Sequence, residues 1–268
     1  MTAKNLSRGA VTARAAETMR ILLTNDDGIF AKGIEALYLA LSREHEVHVV
    51  APETEQSAVG HAITWLNPLR VTPVQRNGDF FGHALSGTPA DCAKIGILEL
   101  VKPRPDILVS GINMGANVGV NVIYSGTVSA ATEAALLGIP SIAVSIDSFK
   151  TTDFSAATNF IPRLVNLVLE KGLPAGVSLN VNVPAVPWEE VHGVKVTHQG
   201  RLQCVEIYDR RMDPRMHVYY WLTNTDIVHD TDSHADSSAI AESWISVTPI
   251  QHDLTRHDML ETLRQWKL

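Results

Sequence analysis

Arg20-Ile-Leu-Leu-Thr-Asn-Asp-Asp-Gly28 couples a short apolar run to a polar turn. The run reads as a buried strand, because a strand covered on both faces is apolar without alternation. Asn25-Asp-Asp-Gly28 reads as a turn, since these residues tolerate or stabilise tight backbone reversals. Similar strand segments recur downstream, separated by helical ones. Between Gly33 and Arg43, Ile34, Leu37, Tyr38 and Leu41 share one helical face. Glu46-Val-His-Val-Val-Ala51 is the next strand. Pro89 to Val101 reads as a largely buried helix with Pro89 in its first turn. Asp106-Ile-Leu-Val-Ser110 reads as a strand ending at Gly111. Thr127 to Leu137 is an Ala-rich helix closed by Gly138, and Ile142-Ala-Val-Ser-Ile146 is a further strand. Phe154 to Lys171 has helical spacing, with Pro162 expected to delay its start or kink it. Leu179-Asn-Val-Asn-Val183 closes the series. Strands alternating with helices imply βαβ units, hence an α/β fold with a mostly parallel sheet and helices on both faces. In such sheets ligands bind at the carboxyl ends of strands.

After Pro184 the texture changes. Val194–Thr197, Val205–Tyr208, His217–Leu222 and Trp244–Thr248 read as strands joined by long charged loops, and residues 257–267 as a final helix. The expected organisation is a flexible extension (1–18), an α/β core (19–184) and a β-rich portion of hairpins or arms used in assembly (185–268). The extension carries Lys4, Arg8 and Arg14 against Glu17 and has no signal-peptide apolar region.

Composition narrows the function. The chain has 268 residues, 45% apolar and 19% charged, which suits a soluble globular protein. No run of about 18 apolar residues is present, so no membrane span is expected, and the missing targeting signals suggest the cytoplasm. Cys92 and Cys204 make neither a disulfide framework nor a cysteine zinc site. A formal charge of −7 disfavours a nucleic-acid-binding face. It also means that an anionic substrate needs a local device such as a metal or a helix N-terminus.

Four segments could carry chemistry. Asp26 and Asp27 are adjacent acids that repel unless a cation lies nearby, although Asn-Asp-Asp-Gly is also an ordinary turn. Ser110-Gly-Ile-Asn-Met-Gly-Ala-Asn-Val-Gly119 offers glycine-rich backbone for anions and asparagine carbonyls for a metal, or is a structural loop. Ser125-Gly-Thr127 opens a helix, where hydroxyls and free N–H groups suit a phosphate or simply cap the helix. Ser57, in Glu55-Gln-Ser-Ala-Val-Gly60, is a metal ligand or a polar loop residue. His61 and His83 are placed in similar loops, without the spacing of a histidine zinc site. His229-Asp-Thr-Asp-Ser-His234 could bind a metal but reads better as a solvated hinge. No Walker A, G-x-G-x-x-G or G-x-S-x-G motif occurs.

In combination these segments are specific. Met19–Gly28, Ser86-Gly-Thr-Pro-Ala-Asp-Cys92, Pro103–Asn117, Ile123-Tyr-Ser-Gly-Thr-Val128, Gly138–Ser145 and Ile245-Ser-Val-Thr-Pro249 together resemble the SurE family, the survival protein E nucleotidases. The resemblance implies a Rossmann-like domain with C-terminal hairpins that build homodimers or homotetramers. It implies hydrolysis of nucleoside 5′- or 3′-monophosphates, with polyphosphate as a further substrate of some members. One divalent cation per subunit, Mg²⁺ or Mn²⁺, is implied, with Asp26, Asp27, Ser57 and Asn113 as its ligands and the two aspartates as catalytic residues. Substrate phosphate falls to Asn25, Gly115, Asn117, Ser125, Gly126 and Thr127. Asn121 and Ala135 depart from the family pattern. The rival from another class is a nucleotide- or phosphate-binding module without catalysis, against which the acid pair argues.

Overall fold

The computed structural model describes residues 18–201, 203–228 and 230–266. Apart from Thr18, the expected N-terminal extension lies outside the described residues, as does His229 of the expected hinge. The elements in chain order are β1 (Arg20–Thr24), α1 (Lys32–Leu41), β2 (Glu46–Pro52), β3 (Val71–Arg76), β4 (Asp79–Leu85), α2 (Pro89–Ile95) and β5 (Ile107–Met114). They continue as α3 (Asn121–Tyr124), α4 (Gly126–Leu136), β6 (Ser141–Ile146), α5 (Ser155–Lys171) and β7 (Val177–Val183). The last are β8 (Gly193–Val196), β9 (Gln203–Met212), β10 (Val218–Val228), α6 (Asp236–Ala241), β11 (Trp244–Gln251) and α7 (Leu260–Arg264).

Among the described residues one nine-stranded sheet has the order β3-β4-β2-β1-β5-β6-β7-β11-β8. The run from β4 to β7 is parallel throughout. Side chains alternate across β1, and that alternation separates two cores. Ile21 and Leu23 pack with Ile34, Leu37 and Leu41 of α1 and Ile161 and Val165 of α5. Leu22, on the other face, packs with Cys92 and Ala93 of α2 and Ala130, Ala131 and Ala134 of α4. Helices therefore cover both faces, as the unbroken apolar strands require. Strand order reverses direction between β1 and β5, which is where an open α/β sheet forms its ligand crevice.

The structure departs from the sequence reading at several points. The β3–β4 hairpin was not anticipated, and it places His83 inside β4 rather than in a loop. β3 is an outer strand with Pro73 and a single buried residue, Val74, so its pattern carries almost no apolar signal. β5 does not stop at Gly111; it continues to Met114, resuming its pairing with β6 at Asn113 after an irregularity. α2 is α-helical only to Ile95 and continues as a π-helical turn, Gly96–Leu100. Gly96 there lies against Leu22, where a Cβ would sit 2.7 Å from a leucine methyl. α5 begins at Ser155 and runs through Pro162 without a late start. Burial of Ile161, Leu164, Val165 and Val168 outweighs the ~3 kcal/mol that an interior proline costs.

Beyond residue 184, β11 pairs antiparallel with β7 and parallel with β8, so both strands complete the main sheet. β9 and β10 form a separate two-stranded antiparallel ribbon, longer than the expected strands. The final helix is shorter than 257–267: a 3₁₀ turn at His257–Met259 leads into α7.

Candidate active site

Parallel pairing of β1 with β5 brings Thr24 opposite Ser110. Asp27 and Asn113 each lie three residues further on, Asp27 in the turn after β1 and Asn113 in the last residues of β5, at the carboxyl ends of adjacent strands where the sheet reverses. The turn after β1 is held from within, because Asn25 donates its side-chain N–H to the Gly28 carbonyl at 2.9 Å. Gly28 has φ +92°, which favours glycine, and its α-carbon faces the chain between Pro52 and Glu55.

Asp26 is buried and points at the start of α4. Thr127 Oγ1 donates to Asp26 Oδ1 at 2.5 Å. Gly126 allows this approach, since a Cβ there would lie 2.9 Å from the Asp26 Cβ and 3.0 Å from Pro89 Cγ. Burial pushes the Asp26 carboxyl above its ordinary range, against the Thr127 hydroxyl and backbone amides that draw it down. Asp27 is less buried, and its carboxyl rises to about 7 through desolvation first, then the charges of Asp26 and Glu55. Two neighbouring negative charges thus act on Asp27, and among the described residues no cationic side chain offsets them, the electrostatic condition for a bound cation.

Two acceptor oxygens at this point are buried without a hydrogen-bond partner among the described residues: Asp27 Oδ2 and Asn25 Oδ1. Orphaned buried acceptors are costly, and a hard cation takes oxygen ligands of this kind. Asn113 donates Nδ2 to the Gly115 carbonyl at 2.7 Å, which leaves its Oδ1 free of that bond. Ser57 is exposed and gives its hydroxyl to Glu55 Oε1 at 2.6 Å. Its segment is tied to the acid pair by the Gln56 amide, which donates to the Asp26 carbonyl at 2.8 Å. Among the described residues no three His, Cys, Asp or Glu side chains form a metal cluster, so a cation here needs Asn or Ser oxygens beside the two aspartates.

Besides Asn25 in the turn after β1, the residues expected to hold phosphate are arranged in two groups. Ser125 caps α4, accepting from the Val128 amide at 3.1 Å, and Gly126 and Thr127 follow it beside Asp26. Gly115 and Asn117 occupy the loop after β5. The Asn117 side chain turns inward and donates to Ser145 Oγ at 2.8 Å. Its peptide is gripped by β7: Asn182 Oδ1 accepts from the Asn117 amide at 2.8 Å, and Asn180 Nδ2 donates to the Asn117 carbonyl at 2.8 Å. Further along, the Gly119 amide donates to the buried Asp236 carboxylate and its carbonyl accepts from Gln199 Nε2 at 2.7 Å. The 230–234 part of the expected hinge stands apart from this site; Asp232 pairs with exposed His198 at 3.1 Å.

Glu55, Asn180, Asn182 and Asp236 act on residues of the candidate site, Glu55 by its charge on Asp27 and the others by hydrogen bonds to Asn117 and Gly119, and the sequence reading missed them. The two asparagines were visible only as polar positions alternating in a strand. Glu55 had one available signal, its place two residues before Ser57.

The Survival protein SurE family model matches residues 21–206. A 5′-nucleotidase SurE from Syntrophobacter fumaroxidans is 70% identical over 250 residues, covering 93% of this chain and 100% of that protein. A 5′-nucleotidase SurE from Syntrophus aciditrophicus is 50% identical over 92% of this chain and 93% of its own length. The crystal structure of the SurE protein from Aquifex aeolicus superposes with a TM-score of 0.80 at 37% identity, covering 91% of this chain and 98% of that one.

Proposed function

The chain belongs to the SurE family and is a 5′-nucleotidase, and from that premise we propose that it hydrolyses nucleoside monophosphates at the Asp26–Asp27 turn with a divalent cation. The observation that carries this reading is the orphaned Asp27 Oδ2, buried beside a second carboxylate at the sheet's reversal. Asp26, Asp27, Asn113 and Ser57 would hold the cation, Mg²⁺ or Mn²⁺, one per subunit. When bound, such a cation supplies Lewis-acid polarisation of a phosphoryl oxygen and acidification of a water.

The chain's own residues do the rest. Asp26, oriented by Thr127, accepts a proton from the attacking water or fixes its direction. The start of α4 at Ser125–Thr127 and the backbone of Gly115 lie against the phosphoryl oxygens, where N–H dipoles favour negative charge. Asn182 and Asn180 keep the Gly115–Asn117 backbone in place. The reading extends to 3′-monophosphates and polyphosphate. It also assigns the β9–β10 ribbon to a homodimer or homotetramer, since Tyr208, Tyr220, Trp221 and Leu222 expose apolar surface there. Among the described residues no helix is long and apolar enough to cross a membrane; the cytoplasm is the proposed compartment.

The test is phosphate release from 5′- and 3′-monophosphates and polyphosphate, with Mg²⁺, Mn²⁺ or chelator, for wild type and Asp26→Asn. Release that needs metal and is abolished in the variant supports the reading. Undiminished release under chelation, or by the variant, rejects it.

A further inference from the structure

Phe149 has no part in either core, yet it is mounted firmly beside the site. The residue is 82% exposed. It rests directly on Gly115: a Cβ on that glycine would lie 2.4 Å from Phe149 Cε1 and 2.7 Å from Cζ. Gly115 has φ +102°, so its lack of a side chain serves both the backbone and the ring. The two loops are joined where the Gly115 amide donates to the Ile146 carbonyl at 2.9 Å. The turn carrying Phe149 is closed on itself, with Ser148 Oγ accepting from the Lys150 amide at 3.1 Å and the Thr151 amide at 3.0 Å. The Asp147 amide pins its base to the Val183 carbonyl at 2.9 Å.

We propose that Phe149 is the platform on which the nucleobase of a nucleoside monophosphate stacks, making it a specificity residue of this enzyme. The proposal rests on the phosphate site assigned above. Gly115 is two residues beyond Asn113 and its backbone is assigned to the phosphate, so the ring seated on it is within about 7 Å of chain from the proposed cation ligand. A mononucleotide spans that order of distance between its phosphate and its base. Every nucleobase has a π-face, so a single phenyl ring selects nucleotides over sugar phosphates without choosing among bases. The closed turn matters because a platform whose backbone is already fixed loses less entropy when the base arrives.

The experiment compares AMP, UMP and base-free ribose 5-phosphate as substrates for wild type, Phe149→Ala and Phe149→Trp. The expected result is a KM for AMP raised about tenfold in Phe149→Ala with kcat within about twofold, the loss of one base–aromatic stack. The preference for AMP over ribose 5-phosphate in kcat/KM falls by the same factor, and Phe149→Trp restores it. An unchanged preference in Phe149→Ala overturns the proposal while leaving the nucleotidase reading intact. A changed oligomeric state by light scattering with unchanged preference also overturns it, assigning the ring to an interface. Absence of wild-type turnover on AMP overturns both readings together. Thermal melts of the two variants show whether each is folded.

Discussion

Thr127 reaches across 101 residues of sequence to donate its hydroxyl to Asp26 Oδ1 at 2.5 Å. A helix start and a strand end thereby become one unit: the second residue of α4 orients the buried carboxylate after β1. Hydrogen bonds to charged groups contribute about 1.5–3 kcal/mol. Thr127→Val keeps the shape and removes the donor. It is expected to lower kcat by about tenfold or more and to reduce the melting temperature, while Thr127→Ser retains most of both. Steady-state kinetics and thermal melts of the two variants check this; equal kcat in Val and Ser variants would remove Thr127 from the catalytic unit.

Asp27 gives the site a defined pH response. Its carboxyl rises from 3.8 to about 7 in the fold. The folded metal-free protein therefore keeps a proton that the unfolded chain releases. Linkage then makes this contribution greatest below pH 3.8 and progressively lost as pH rises to about 7. A cation must displace that proton, so metal affinity is expected to climb with pH until about 7 and then level. Metal titrations by calorimetry in buffers of different ionisation enthalpy read the released proton directly. Asp27→Asn should release fewer protons than wild type, leaving only those of the raised Asp26 carboxyl, and should reduce the stability slope of the metal-free protein over the same window.

Much of this arrangement was legible in the sequence, and the omissions have physical causes. β1 and β6 declare themselves because burial on both faces leaves short runs that are mostly apolar, Ile21-Leu-Leu23 and Ile142-Ala-Val144. Asp26, Asp27 and Asn113 follow such runs, so strand position alone brought them to the sheet's reversal. The β3–β4 hairpin was hidden because its outer strand is half solvated and Gly82 of β4 packs straight onto the Val49 backbone, replacing a side-chain signal with a close approach. The extension of β5 was hidden by Gly111, whose φ of +139° reads as a terminator but here lets the strand pass the Val144 carbonyl. Long-range polar partners such as Glu133 leave no periodic trace at all.

Glu133 is buried on α4, where Lys94 Nζ lies 2.8 Å from Oε1 and His61 Nε2 2.9 Å from Oε2. These contacts bind α4 to α2 and to the segment that carries Ser57. The His61 hydrogen bond, opposed by burial and aided by Lys94, holds the Glu133 carboxyl below its ordinary value of 4.5. A depressed acid stabilises the fold above its unfolded pKa and loses that contribution as pH falls through the folded value. Both partners are partly exposed, so the arrangement falls between surface and buried pairs, about 2 kcal/mol. Glu133→Gln is expected to melt several degrees lower at neutral pH and to converge on wild type in acid below pH 4.5. Melts between pH 3 and 8 test the convergence; a constant gap would mean that shape rather than charge is at stake.

Asn182 tests the proposal that β7 holds a substrate-binding loop. Its Oδ1 accepts from the Asn117 amide at 2.8 Å and its Nδ2 donates to the Asn117 carbonyl at 3.1 Å. The side chain thus pairs with one peptide as a neighbouring strand would. Asn182→Asp keeps the acceptor but turns the donor into a second acceptor facing a carbonyl, in a position without solvent. Loss of a buried hydrogen bond with an orphaned group costs about 1–3 kcal/mol, and more when the new group is charged. The neutral acid restores a donor, so burial should raise the new carboxyl's pKa and the stability deficit should narrow as pH falls. Because Asn117 lies four residues beyond Asn113, loosening its peptide is expected to raise KM for AMP more than it lowers kcat. Melting curves against pH, with KM and kcat at neutral pH, decide it. A deficit independent of pH, or a fall in kcat alone, would show that Asn182 does not act through the Asn117 peptide.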